Sequence, residues 1–228
     1  MIFHDRHHAG KVLAEKLMAR YANRPDTVVL GLPRGGVPVA YEVARALHVP
    51  LDVFIVRKLG LPGHEELAMG AIASGGTTVL NESLVQELAI PPEIIRSVTA
   101  KETRELLRRE REYRAGYAPL DVRNCTLIVV DDGLATGATM RAAAVALRHK
   151  NPARIVVAVP TAAPETCTEF RQEVDEIICA QTPEPFNGVG LWYEDFSQTT
   201  DAEVRELVAR ARELYAQEYN EARLAKAA

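Results

Sequence analysis

The segment VVDDGLATGATM, residues 129–140, joins an apolar run to two adjacent acids and a loop of small residues. Asp131 and Asp132 repel each other when both are charged at such a short distance. Gly133 and Gly137 lose more backbone entropy on folding than other residues do. A chain that keeps these unfavourable features together at the end of an apolar segment is predicted to bind a ligand there.

Apolar strand segments alternate with helical segments on both sides of this loop. This alternation predicts an α/β fold with an open, mainly parallel sheet flanked by helices. The predicted strands are residues 27–32, 51–57, 125–131, 153–160 and 174–179, with two short strands within 68–81 joined by Gly75-Gly76. The predicted helices are residues 10–22, 37–47, 92–114 and 139–150, one between the last two strands, and one from 201 onward.

Composition and charge are those of an ordinary soluble protein of one domain. The chain has 228 residues, 47% hydrophobic content and a net charge of −4, which argues against a strongly basic face for nucleic acid. The polar start of the chain and its short apolar runs predict neither a signal peptide nor a membrane span. Three cysteines in apolar surroundings are expected to be reduced, as in a cytoplasmic protein.

Three strands are followed by unusual residues. The segments that contain these strand ends and the following residues are GLPRGG at 31–36, VRKLGLPGHEE at 56–66 and VVDDGLATGAT at 129–139. In open α/β sheets, ligands bind outside the carboxyl ends of the strands. The three segments are therefore expected to form one site.

The loop from Gly133 to Thr139 has the composition of a phosphate cradle. Glycines let backbone amides turn toward an anion, and the start of the following helix adds partial positive charge. The sequence has no GxxxxGK[ST] motif and no GxGxxG after its first strand. Asp131 and Asp132 would repel a phosphate, but carboxylates accept hydrogen bonds from a ribose diol well. A ribose that carries a 5′-phosphate meets both requirements.

The segment VVDDGLATGAT resembles the phosphoribosyl-pyrophosphate (PRPP) signature of the type I phosphoribosyltransferases. GLPRGG resembles the pyrophosphate loop of that family, and the residues after Arg57-Lys58 stand where the family carries a mobile catalytic loop. Residues 182–197 stand at the place of the base-binding hood. The resemblance implies a single domain over 1–228, with a hood at about 182–200 and a C-terminal helix at about 201–219.

Membership would imply displacement of pyrophosphate from C1 of the ribose by a nitrogenous base, in nucleotide metabolism. Arg34 and Lys58 are then the candidate catalytic residues. Mg²⁺ is expected on the diphosphate, held by Asp131 or Asp132 through water at most. The pyrophosphate loop of the family often contains a non-proline cis peptide, which by position is Pro33–Arg34. The predicted PRPP-binding residues are Gly35, Gly36, Arg57, Asp131, Asp132, Gly133, Ala135, Thr136, Gly137 and Thr139.

The predicted hood is rich in aromatic rings that can stack on a flat base. Its PF-x-x-VG-x-x-Y pattern faintly resembles the hoods of hypoxanthine–guanine enzymes, which favours a purine-type base. Ala135, however, stands where those enzymes usually carry an aspartate. The identity of the base is therefore left open, as is the role of the charged loop residues. The candidate base-contacting residues are Phe186, Trp192 and Tyr193, and the loop residues without an assigned role are His64, Glu65 and Glu66.

Two functions remain open from the sequence. The first is a transferase that uses PRPP and a nucleobase. The alternative is a regulatory protein that senses PRPP on the same fold without turnover. The sequence contains no added helix-turn-helix pattern, and acids interleave with the basic residues of 92–114, so a nucleic-acid partner is not expected. A homodimer is left open.

Overall fold

The computed structural model describes residues 1–227, with side chains described through residue 218. The strands form two sheets, one with five strands and one with three. In chain order the elements are α1 (Arg6–Tyr21), β1 (Thr27–Gly31), α2 (Gly36–Leu47), β2 (Leu51–Val53), β3 (Val56–Leu61), β4 (His64–Ala73), β5 (Thr77–Leu80), α3 (Glu82–Glu87), α4 (Pro92–Arg114), β6 (Thr126–Val130), α5 (Ala138–Arg148), β7 (Arg154–Thr161), α6 (Pro164–Phe170), β8 (Glu176–Gln181) and α7 (Asp201–Ala227).

The five-stranded sheet is parallel throughout and has the order β2-β1-β6-β7-β8. Its central strands are buried on both faces because alternate side chains enter different helical layers. Val29 and Ile128 face the core formed with α1, α2, α4 and α7. Val28 and Leu127 face the second core, formed with α5 and α6. The prediction of an open, mainly parallel α/β sheet is confirmed.

The predicted strand 51–57 is in fact two strands in different sheets. Phe54 donates its amide to Gly31 O of the parallel sheet, whereas Ile55 donates to Ser74 Oγ, directly after β4 of the second sheet. Hydrogen bonds therefore change partner between these two residues, and β3 leaves the main sheet. The three-stranded sheet β3-β4-β5 is antiparallel.

The residues after Arg57-Lys58, which stand at the place of the mobile catalytic loop of the family, are mostly strand. β3 runs to Leu61 and β4 starts at His64, so the loop is a tight turn at the tip of a hairpin. Gly63 has a φ of 83°, a left-handed conformation that glycine adopts without steric cost. The sequence did not distinguish this hairpin from an open loop, because glycines and prolines are common in both. The short helix α3, capped by Asn81, was also not predicted.

The last helix, α7, begins at residue 201 as predicted but extends to Ala227. It packs against α2, α4 and β2 through a buried apolar strip that includes Val204 and Val208. None of the three cysteines forms a disulfide. Within the described residues, no helix is long and apolar enough to cross a bilayer.

Candidate active site

The ends of β1 and β6 place two loops side by side, although nearly a hundred residues of chain separate them. The strands are parallel neighbours, with Gly31 opposite Val130, and Leu32 N donates to Val130 O over 2.9 Å. A Cβ on Gly36 would lie 2.7 Å from Val130 O and 2.8 Å from the Cα of Asp131. Only glycine allows this approach, so the predicted pyrophosphate loop lies directly against the acid pair.

The acid pair lies in a partly enclosed position that disfavours charge. Burial raises the pKa of Asp131 well above its usual value, and the neighbouring Asp132 raises it further. Burial also raises the pKa of Asp132, while Arg6 opposes this shift. Arg6 Nε donates to Asp132 Oδ2 over 2.9 Å, and Asp132 N donates to Asp131 Oδ1 over 2.9 Å.

The loop after the acids presents free amides. Among the described residues, no protein acceptor takes the N–H groups of Ala135, Thr136 and Gly137. The carbonyl groups point elsewhere, because Thr166 Oγ1 donates to Ala135 O over 2.6 Å and Arg141 Nη1 donates to Thr136 O over 2.7 Å. An anion at the start of α5 would therefore meet donors and the positive end of the helix.

Glycine is required at two points of this loop. Gly137 has a φ of 74°, and a Cβ there would lie 2.5 Å from the ring of Phe170. A Cβ on Gly133 would lie 2.4 Å from Val189, which belongs to the predicted hood. The loop is thus fixed between α6 and the hood, and the exposed Thr136 and partly exposed Thr139 add hydroxyl groups on its open side.

The predicted pyrophosphate loop contains the expected cis peptide between Pro33 and Arg34. Arg34 Nη1 lies 3.8 Å from Asp201 Oδ1, at the first residue of α7. Tyr113 donates its hydroxyl to the same oxygen over 2.6 Å. The guanidinium of Arg34 is therefore near a countercharge without a close hydrogen bond to it, and it remains one-third exposed.

The two consecutive cations of β3 lie in different surroundings, because side chains alternate across a strand. Arg57 donates through Nε and Nη2 to Glu102 Oε2 of α4, over 2.8 and 2.6 Å. This pairing gives Arg57 a structural contact that the sequence did not indicate. Lys58 is exposed and lines a cavity of about 370 Å³ together with Thr139 of the cradle. The structure thus brings Lys58 toward the cradle.

The predicted hood contains one pair of nearly parallel rings. The centroids of Phe186 and Trp192 are 6.5 Å apart, with 18° between the ring planes. Trp192 Nε1 is buried and has no hydrogen-bond partner among the described residues. An unpaired buried donor fits a ligand that brings an acceptor, because leaving such a group unsatisfied costs free energy.

Tyr193 does not have the free ring face expected for stacking on a base. It is 6% exposed and packs against the rings of Phe3 and Phe196. Its hydroxyl donates to Asp132 O over 2.5 Å. The expectation for this residue is corrected, since its ring belongs to the interior and its hydroxyl fixes the backbone of the acid pair.

Several residues near the site were not predicted from sequence. Arg6 lies in the polar segment HDRHH at the start of the chain, which is not among the predicted site residues. Asp201 and Glu102 lie in segments predicted to be helical, and the sequence analysis assigned neither of them a role in the site. No local pattern marks these residues, because each reaches the site from a distant part of the chain. His64, Glu65 and Glu66 are exposed at the tip of the β3–β4 hairpin, and their roles stay open.

One large cavity lies away from these loops. It has a volume of about 570 Å³ and is formed by the end of α4, residues 116–123 and the end of α5. The buried charged side chains that line this cavity already have partners in the protein, since Arg114 bonds to both Asp52 and the carbonyl of Val53. Size alone would favour this cavity as a ligand site. The free amides and the acid pair instead favour the ends of β1 and β6.

The acids present fit a magnesium ion that arrives on a substrate. No group of three or more His, Cys, Asp or Glu side chains within residues 1–218 is arranged to hold a metal. Asp131 and Asp132 directly precede the cradle, and Mg²⁺ commonly binds through one or two carboxylates plus substrate phosphates.

Comparison with known proteins agrees with this geometry. The profile of the phosphoribosyl transferase domain matches residues 4–194. A protein of Mycobacterium tuberculosis, named provisionally as a phosphoribosyl transferase and known from strains CDC 1551 and H37Rv, is 42% identical over 216 residues. That match covers 95% of this chain and 48% of the relative, so the chain spans about half the length of the curated protein.

A solved structure is also similar over nearly its whole length. The protein TT1426 from Thermus thermophilus is 40% identical, with a TM-score of 0.79. The match covers 91% of this chain and 98% of that protein. With its cradle, its acid pair and a domain match over residues 4–194, the chain belongs to the phosphoribosyl transferase family.

Proposed function

We propose that this protein transfers the 5-phosphoribosyl group from PRPP to a nitrogenous base and releases pyrophosphate. The observation that carries this proposal is the contact between two loops. Gly35 and Gly36 lie against Asp131 and Asp132, and the free amides of the cradle follow directly. One ligand that carries a diphosphate, a ribose diol and a 5′-phosphate would match these three neighbouring surfaces.

Each part of the site has a distinct binding task in this proposal. The amides of residues 135–137 and the start of α5 hold the 5′-phosphate, and Thr136 and Thr139 supply hydroxyl donors. Asp131 and Asp132 accept hydrogen bonds from the 2′- and 3′-hydroxyls. These contacts fix the ribose so that the base reaches C1 in one orientation, which removes much of the entropic barrier.

Arg34 and Lys58 act on the leaving group. As the bond from C1 to the diphosphate lengthens, negative charge grows on the departing oxygen. Fixed cations stabilise this charge most in the transition state. When bound, Mg²⁺ would supply further charge compensation on the diphosphate, with Asp131 or Asp132 as its contacts through water.

The base is proposed to bind beneath the hood, with Phe186 and Trp192 as its aromatic contacts. The unpaired Trp192 Nε1 would donate to an acceptor atom of the base. A purine-type base offers such acceptors and a large flat surface. Ala135 provides no carboxylate at the position where purine enzymes of this family usually carry one.

The direct test is a screen of nucleobases with PRPP and Mg²⁺ in which released pyrophosphate is measured. Turnover with one base class establishes the activity. Tight PRPP binding without turnover of any base would instead support the sensor function.

Binding through the acid pair is tested separately by calorimetry with PRPP. Asp131→Asn and Asp132→Asn should each weaken binding by about 1.5–3 kcal/mol, because each removes a charge-assisted hydrogen bond. Unchanged affinity in both variants would rule out the ribose assignment.

A further inference from the structure

Arg6 occupies the junction of three parts of the site. It is the first residue of α1, and its side chain is 11% exposed. Nε donates to Asp132 Oδ2 over 2.9 Å and Nη1 donates to Ser197 O over 2.6 Å. The guanidinium also lies 4.0 Å from the ring centroid of Phe196, at cation–π distance. The acid pair and the hood therefore hold this side chain in one position.

The third neighbour of Arg6 is the predicted pyrophosphate loop. A Cβ on Gly35 would lie 3.1 Å from Arg6 Nε and 2.0 Å from Asp132 Oδ2. The backbone of the loop thus runs along the ion pair with no space between them. A diphosphate bound to the amides of this loop would lie next to the guanidinium.

The guanidinium retains hydrogen-bonding capacity in this position. Arginine has five N–H donors, and two of them are used by Asp132 and Ser197. Planar guanidinium groups bind phosphate oxygens through pairs of parallel hydrogen bonds. The charge is also needed, because two acids beside the loop would otherwise repel a polyanion.

The segment that carries Arg6 is itself tied to the hood. Phe3 N donates to Trp192 O and Glu194 N donates to Phe3 O, both over 2.8 Å. A ligand that binds Arg6 therefore contacts a residue whose position depends on the hood. If the hood is displaced, Arg6 loses the contacts with Ser197 and Phe196 that hold it in this position.

We propose that Arg6 is a diphosphate ligand of this site, contributed by the N-terminal helix and held in place by the hood. The inference rests on the proposed function, since PRPP is the diphosphate in question. It adds a third cation to Arg34 and Lys58. It also makes diphosphate binding dependent on the hood, which the family's loop motifs alone do not imply.

The test is calorimetric titration of the full chain with inorganic pyrophosphate and Mg²⁺, and separately with ribose 5-phosphate. Arg6→Ala is expected to raise the Kd for pyrophosphate by about 10- to 100-fold, the loss of charge-assisted hydrogen bonds. Binding of ribose 5-phosphate should change far less. Arg6→Lys should recover part of the loss, because it restores the charge without the planar pair of donors.

Two further variants make the result interpretable. Arg20→Ala is the matched control, since Arg20 lies on the same helix, is exposed and pairs with Glu176 away from the site. It should leave both affinities unchanged. Arg6→Gln carries the test if Arg6→Ala does not fold, because the amide keeps a donor near Asp132 while removing the charge.

Unchanged or tighter pyrophosphate binding in folded Arg6→Ala or Arg6→Gln would overturn the inference, and tighter binding would make Arg6 a competitor of the ligand. Equal loss of pyrophosphate and ribose 5-phosphate binding would also overturn it. These outcomes leave the proposed function intact as long as the unaltered protein binds PRPP. If the unaltered protein binds neither pyrophosphate nor PRPP, the proposed function fails as well.

Discussion

Asp131 and Asp132 show at the scale of single residues how a ligand site opposes stability. Burial raises the pKa of both carboxyl groups, and among the described residues only Arg6 forms an ion pair with either. Two neighbouring acids in this position are unfavourable for the empty fold. Such features are found where binding depends on them, since a better-paired arrangement would stabilise the protein at the cost of function.

The pH dependence of the free energy of unfolding should reveal the cost of burying these two acids. The pKa of Asp131 is raised in the folded protein, so the folded state binds more protons than the unfolded state between pH 3.8 and the raised pKa. Stability should therefore fall as pH rises through this window. Asp131→Asn removes the effect, so the variant should be more stable than the unaltered protein at pH 7, and the difference should shrink toward pH 4. Urea unfolding at a series of pH values measures it.

Asp121 provides a control of opposite sign. It is exposed beside Arg123, which lowers the pKa of its carboxyl to about 2. The interaction of Asp121 with Arg123 stabilises the folded protein above pH 3.8, the ordinary pKa of the carboxyl. This stabilisation is lost as pH falls toward 2. Asp121→Asn should therefore gain no stability at neutral pH. A stability difference for Asp131→Asn that is the same at every pH would contradict the assignment to the buried acid.

At the level of secondary-structure elements, the β3–β4 hairpin places its two cations, Arg57 and Lys58, in different surroundings and so gives them different roles. Lys58→Ala should lower kcat by about 10²-fold, the scale of losing one group that stabilises transition-state charge. The KM for PRPP should change much less, because the acid pair and the cradle still hold the ribose phosphate. Steady-state kinetics with an accepted base measures both constants. Lys16→Ala, an exposed lysine on α1, is the control, and an effect of Lys58→Ala confined to KM would remove the catalytic role.

Arg57 should behave differently although it is the adjacent residue. It joins β3 to α4 through Glu102, whose side chain is 11% exposed. Arg57→Ala and Glu102→Gln should each lower the free energy of unfolding by about 1–3 kcal/mol, as expected for hydrogen bonds to charged groups. Affinity for PRPP should stay close to that of the unaltered protein. Denaturant unfolding and calorimetry measure the two effects.

The exposed pair Arg108–Glu112 within α4 is the control for this prediction. Arg108 also pairs with Glu105, but solvent screens both exposed pairs, so Arg108→Ala should lower the free energy of unfolding far less than Arg57→Ala does. If Arg57→Ala instead abolishes PRPP binding without loss of stability, Arg57 is a substrate ligand as the sequence first indicated.

At the scale of the whole molecule, α7 closes the larger core. Val208 is 1% exposed and packs in the cluster shared with α1, α2 and α4. Val208→Ala should lower the free energy of unfolding by about 2–3 kcal/mol, from lost burial and the cavity left behind. Val145→Ala, on a side chain that is 43% exposed, should change it by less than about 0.5 kcal/mol. Equal effects in thermal or urea unfolding would contradict the proposed importance of α7.

The sequence predicted the parallel sheet and its strand-end loops because buried strands and glycine-rich loops are local patterns. The segment at 129–140 indicated both β6 and the start of α5, and GLPRGG indicated the loop with the cis peptide. The sequence could not predict that the chain leaves the main sheet after Phe54, since this depends on hydrogen bonds to Gly31 and Ser74. Arg6 was missed for the same reason, because its partner Asp132 is remote in sequence.

The packing of α7 has a consequence for the order in which the protein is made. Synthesis proceeds from the N-terminus at about 5–20 residues per second, so residues 1–200 are translated before α7 exists. At that stage the chain already contains both strand-end loops, yet the apolar face that receives Val204 and Val208 is uncovered. Arg34 also lacks Asp201, its countercharge. This apolar face of the nascent protein therefore stays exposed to solvent until α7 docks, and slower translation lengthens that interval.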